Sequence, residues 1–132
     1  RVIAGRVNLS TAAVQRRIAA MERSGAISAN VAVVDPNALA LSITAVVEVH
    51  LRDERTGTVD AAKTLFRECP EVQQCYYVTG GVSFVLVITC QNMSAFEALS
   101  RKLFQGSDLV DRSRSLIALD RVKTGLTLVV PD

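Results

Sequence analysis

With 132 residues, 49% of them hydrophobic, the chain can build one core of ordinary size plus a small appendage, and no apolar run approaches the roughly 18 residues of a membrane span. The formal charge is only +2, yet residues 1–27 carry Arg1, Arg6, Arg16, Arg17 and Arg23 against Glu22 alone, a balance of +4 that leaves −2 for the rest. A cationic end of this kind suits a polyanion such as double-stranded DNA, because displaced counterions supply much of the affinity; the plain alternative is a solvated helix face.

Leu9 to Ile27 reads as a capped, one-faced helix. Ser10 is placed to accept from the free amides of the first turn, and Val14, Ile18 and Met21 recur at helical spacing as a buried stripe. Gln15, Arg16 and Arg23 are left outward. Gly25 supplies the left-handed stop and Ile27 the apolar anchor beyond it. Val31 to Val34 form a short apolar run, and Asp35-Pro36-Asn37 is turn chemistry fit for a linker.

The period then changes to two. Ile43 to Leu51 alternates as a strand with Ile43, Ala45, Val47, Val49 and Leu51 on one face and Thr44, Val46, Glu48 and His50 on the other. Gly57-Thr58 opens a helix with Val59, Ala62, Leu65 and Phe66 inward, stopped by Pro70. Val72 to Thr79 is a strand, Gly80-Gly81 a two-residue hairpin turn, and Val82 to Cys90 a central strand covered on both sides. Ser94 and Glu97 have capping-box spacing for a helix whose stripe is Phe96, Leu99 and Leu103, ending at Gly106. Val110 to Asp120 is a further strand, and Gly125 to Val130 a last short one. The order βαββαβ predicts an α+β, ferredoxin-like sheet with both helices on one side. Val46, Val85 and Val87 then lie on an uncovered face, which predicts a homodimer built sheet to sheet.

Catalysis finds little footing. His50 and Glu48 share a face and have the composition of an acid–base pair, but a lone histidine there reads better as an interface residue. No glycine-flanked nucleophile, phosphate loop or carboxylate cluster with metal spacing occurs. Cys69, Cys75 and Cys90 are odd in number, without a CxxC pair or a histidine cluster, so no disulfide framework, metal or cofactor is expected, and a cytoplasmic location is. Cys75 and Cys90 fall on strands and read as buried small hydrophobes rather than a redox switch.

Leu9-Ser10, Val14, Arg17, Met21-Glu22, Gly25 and Ile27, followed by Asp35-Pro36, Leu39, Val78-Thr79-Gly80 and the Leu119 to Lys123 segment, resemble in order and spacing the Lrp/AsnC family of transcription regulators. The resemblance implies residues 1–30 as a partial helix-turn-helix DNA-binding module, 31–40 as a linker, and 41–132 as the ferredoxin-like effector-binding and dimerisation domain. It also implies dimers that assemble into tetramers or octamers, with a small effector such as an amino acid bound near the hairpin after the second strand. In the family another helix and most of a second stand before the Leu-Ser pair, so the first helix of the motif is expected to be missing here.

On that reading Ser10, Thr11 and the helix-start amides grip phosphate, Gln15 and Arg16 read base edges in the major groove, and Arg17 is a phosphate or structural contact. Thr79, Gly80, Gly81 and Ser83 are the candidate effector residues. The family commonly has acids where Gly81 and Ser83 stand, which leaves the effector's class open. Two other readings remain at this point: an effector-binding or assembly module without DNA binding, and a subunit like the tetrapyrrole (sirohaem) decarboxylases related to the family.

Overall fold

The computed structural model describes residues 10–131, and these divide between Val34 and Asp35 into two compact units. In the first, helix α1 spans Thr11–Ser24. The second opens with Asp35, whose Oδ1 accepts from the Asn37 amide at 3.0 Å and caps a short 3-10 turn over Pro36–Leu39. Val31, Val33 and Val34 are exposed.

The second unit is built from β1 (Ile43–Leu51), α2 (Thr56–Arg67), β2 (Val72–Tyr77), β3 (Phe84–Cys90), α3 (Met93–Ser100) and β4 (Val110–Ile117). All strand pairs are antiparallel and their order across the sheet is β2-β3-β1-β4, the ferredoxin-like arrangement that the βαββαβ order anticipates. Strict alternation along the two central strands sends Ala45, Val47, Val49 and Leu51, with Phe84, Leu86, Ile88 and Cys90, into the core. Val59, Ala62 and Phe66 of α2 and Phe96 and Leu99 of α3 cover that same side. Phe66 is fully buried, edge-on to Phe84 at 5.4 Å between centroids and 6.1 Å from Phe104.

The other side carries Val46, Glu48 and His50 of β1 with Val85 and Val87 of β3. Register places Leu116 beside Val46, Arg114 beside Glu48 and Arg112 beside His50 on β4, and Tyr76 beside Val85 on β2. The buried residues of α2 and α3 all join the opposite cluster.

Several local expectations are revised. Helix α2 begins at Thr56, with Asp53 Oδ1 accepting from the Arg55 amide at 3.0 Å ahead of it. The cap of α3 is Asn92, whose side chain accepts from Ala95 N at 2.8 Å, so Ser94 lies inside the helix and the Ser94–Glu97 capping box is not formed. Glu97 instead pairs with Arg101 one turn on. After Ser100 the helix widens into a π-type turn, Arg101–Gln105, which buries both Leu103 and Phe104. Cys75 is exposed because β2 is an edge strand, while Cys90 is buried. Residues 125–130 form no strand: Leu126, Leu128 and Val130 are exposed, since alternation alone makes no strand without a neighbouring chain to bond.

Candidate nucleic-acid interface and effector hairpin

Helix α1 is defined at both ends by local chemistry. Ser10, extended at φ −65° and ψ 154°, accepts from Ala13 N at 3.1 Å through Oγ. Gly25 takes φ 86°, donating to Glu22 O, while Ile27 N donates to Met21 O at 3.0 Å. Val14 is buried and Ile18 half-buried, but Met21 is 41% exposed, so the expected apolar stripe narrows toward the C-terminus. Ser10, Thr11, Gln15, Arg16, Arg17 and Arg23 are all exposed. Among the described residues the ion pairs are Arg52–Asp53, Arg101–Glu97 and Arg114–Glu48, none of which uses a cation of α1. The helix therefore offers an exposed amide and guanidinium groups beside its N-terminal turn, where the peptide dipoles add partial positive charge.

The hairpin between β2 and β3 is longer than a two-residue turn. Tyr77 and Phe84 are its last ladder pair, and Val78 N donates to Ser83 O at 3.0 Å to close the loop around Gly80 at φ 103° and Gly81 at φ 96°. Those angles lie in the region that only glycine visits freely, which is why two glycines stand at its tip. Gly80 and Gly81 line a hollow of about 390 Å³ together with Glu48, His50, Arg112 and Arg114. Glu48 is engaged by Arg114 at 2.9 Å, so the carboxylate that sequence alternation set beside His50 is bound to a guanidinium.

Ser83 is 5% exposed and fully engaged within the chain. Its amide donates to Val49 O at 2.8 Å, its Oγ accepts from Leu51 N at 3.1 Å, and its hydroxyl donates to Glu54 Oε2 at 2.9 Å. Tyr77 donates its hydroxyl to Glu54 Oε1 at 3.3 Å, and Lys63 Nζ stands 5.2 Å from the Tyr77 ring centroid. Desolvation, then the neighbouring Glu54 charge, pushes the Tyr77 phenol above its usual value. Thr79 is exposed in the loop. Glu54 and Tyr77 were not among the sequence candidates: Glu54 belongs to the loop after β1, far from the hairpin along the chain, and no spacing rule links them.

Residues 44–128 match the family model described as the Lrp/AsnC ligand binding domain. The chain belongs to the Lrp/AsnC family. An HTH-type transcriptional regulator of Sinorhizobium fredii is 36% identical over 98% of this chain and 75% of its own length. A crystal structure of an AsnC family transcriptional regulator from Agrobacterium tumefaciens aligns with TM-score 0.84 at 25% identity, over 96% of this chain and 82% of that one. A transcriptional regulator of Neisseria meningitidis, in complex with L-Met, aligns with TM-score 0.82 at 25% identity, over 96% and 81%. Within this Lrp/AsnC protein, no described helix is long and apolar enough to cross a membrane.

Proposed function

We propose that this chain is a cytoplasmic DNA-binding regulator of the Lrp/AsnC type, working as a homodimer or a higher assembly whose arrangement responds to an amino acid. The observation that carries the reading is helix α1, capped at Ser10 and stopped at Gly25, with Gln15, Arg16 and Arg17 exposed and outside every ion pair among the described residues. In it Ser10 and Thr11 hold phosphate at the helix start, Gln15 and Arg16 reach base edges, and Arg17 supports them on the backbone. An amide fork matches adenine and a guanidinium fork matches guanine.

The sheet face bearing Val46, Val85, Val87 and Leu116 is the dimer face, favoured because apolar strand residues gain most by being covered. The effector site is the hairpin Thr79, Gly80, Gly81 and Ser83 with its adjoining hollow; the family match and the L-Met bound by the Neisseria regulator support an amino acid there. A ligand that binds one arrangement of dimers better than another shifts the population toward it, and with it the spacing of the DNA helices. This is a binding role without a catalytic step: Glu48, the obvious partner for His50, is committed to Arg114.

Two measurements test the proposal. Mobility shifts on duplex DNA with rising salt should show retention that weakens steeply, as phosphate contacts require. Sedimentation across a panel of amino acids should show one that changes the assembly. Salt-independent or absent DNA retention by the protein carrying its complete helix-turn-helix overturns the regulator reading.

A further inference from the structure

We propose that the hollow between α2 and the edge strand β2 is a second ligand site, separate from the hairpin, that takes a small organic anion: its carboxylate or phosphate meets Lys63 and Arg67, and its apolar body lies against Tyr77.

The hollow follows from the edge position of β2. Register pairs Cys75 with Leu86 and Tyr77 with Phe84, so both side chains point to the helix side of the sheet, where Leu86 and Phe84 are buried. Cys75 and Tyr77 nevertheless stay exposed, because α2 turns its apolar residues Val59, Ala62 and Phe66 to the core. Lys63 and Arg67 of the same helix, with Gln73, Gln74, Cys75 and Tyr77, line a hollow of about 410 Å³, a volume within the range of small-molecule sites. The β2–β3 register shifts between Val72 and Gln74, and this bulge brings two successive carboxamides to the hollow. Tyr77 leans on Phe84 at 5.1 Å between centroids and forms an aromatic wall.

The charge here is unbalanced. Lys63 and Arg67 stand four residues apart on one helix face, a spacing at which like charges repel. No acid lines the hollow and, among the described residues, neither cation belongs to an ion pair. Glu54, the acid nearest in bonding to Tyr77, gives its two oxygens to the Tyr77 and Ser83 hydroxyls. Lys63 is half-buried with Nζ 5.2 Å from the Tyr77 ring centroid, which orients the ammonium without neutralising it. Desolvation raises the Cys75 thiol above its usual value and the Arg67 charge opposes that rise, which agrees with a guanidinium beside the strand. Gln74 accepts the Tyr76 hydroxyl on Oε1 at 2.8 Å, so its amide N–H groups remain donors for a ligand. An anion seated between the two cations relieves their repulsion, and the Tyr77 ring offers its body an apolar surface.

The test is nuclear magnetic resonance titration of the native protein with benzoate, phenyl phosphate and the neutral benzamide at fixed ionic strength. The expected result is an anion bound at least about fivefold tighter than benzamide, the size that two partly solvated ion pairs imply. Its shifts should centre on Lys63, Arg67, Cys75 and Tyr77; either anion supports the site, and the tighter one names the headgroup. The double variant Lys63→Gln with Arg67→Gln should lose the preference and keep the benzamide affinity. Anion affinity in that variant within twofold of native overturns the proposal. So do three results that need only the native protein: no anion binding, equal affinity for benzamide and both anions, or shifts confined to the Gly80-Gly81 hairpin or to α1. Anion affinity that falls as protein concentration rises gives the two cations to a second copy of the chain and overturns it as well.

Discussion

Ser83→Ala tests how the hairpin is tied to the sheet. The substitution removes an oxygen that is 5% exposed and accepts from Leu51 N at 3.1 Å while donating to Glu54 at 2.9 Å. Glu54 is exposed and can return to water, so its share of the loss is small. The Leu51 amide cannot: Leu51 is 7% exposed, and a buried donor left without an acceptor costs about 1–3 kcal/mol. For a unit of this size the melting temperature should fall by roughly 5–15 °C. Glu54→Ala, which leaves Ser83 Oγ on Leu51 N, should cost less than about 1 kcal/mol. Urea unfolding followed by far-ultraviolet circular dichroism, at fixed protein concentration, measures both. A Ser83→Ala loss no larger than that of Glu54→Ala would refute the reasoning, since the buried amide would then have found another acceptor.

Arg16→Ala, in a protein with its complete helix-turn-helix, should cost about 1–3 kcal/mol of operator affinity and relax one base position, whereas Arg17→Ala should weaken all sequences alike and reduce the salt slope by about one; binding arrays with operator variants separate the two. Val87→Asp puts a charge on the open sheet face, away from the core, and should convert dimers to monomers in sedimentation while leaving the circular dichroism spectrum native; persistent dimers would place the interface elsewhere. The Thr58 hydroxyl, then the Arg55 amide, hold the Asp53 carboxyl below its usual 3.8. Because the folded value is the lower one, the benefit to the start of α2 is present at neutral pH and is lost as pH falls below that usual value through the folded one. A carboxyl carbon titration by nuclear magnetic resonance should place the Asp53 midpoint below 3.8, and Thr58→Val should move it back up.

Local features were the most legible. Helix α1 follows from Ser10, the apolar spacing and Gly25 because a cap, a stripe and a left-handed stop all act within one turn of their own residues. The central strands follow from alternation, since side chains on a pleated strand must face opposite ways. The start of α3 misleads for the same local reason: Asn92 and Ala95 have the same three-residue spacing as Ser94 and Glu97, and the earlier pair captured the cap.

By itself the order of residues determined a cationic capped helix and a βαββαβ unit with one apolar face open, because these depend on contacts between near neighbours and on period. Only the tertiary structure decided that β2 is an edge that exposes Cys75, that Glu48 pairs with Arg114, and that Glu54 meets Ser83 and Tyr77. Those meetings depend on strand order and register, which bring distant segments together through one shared core, and no spacing along the chain records where two such segments will touch.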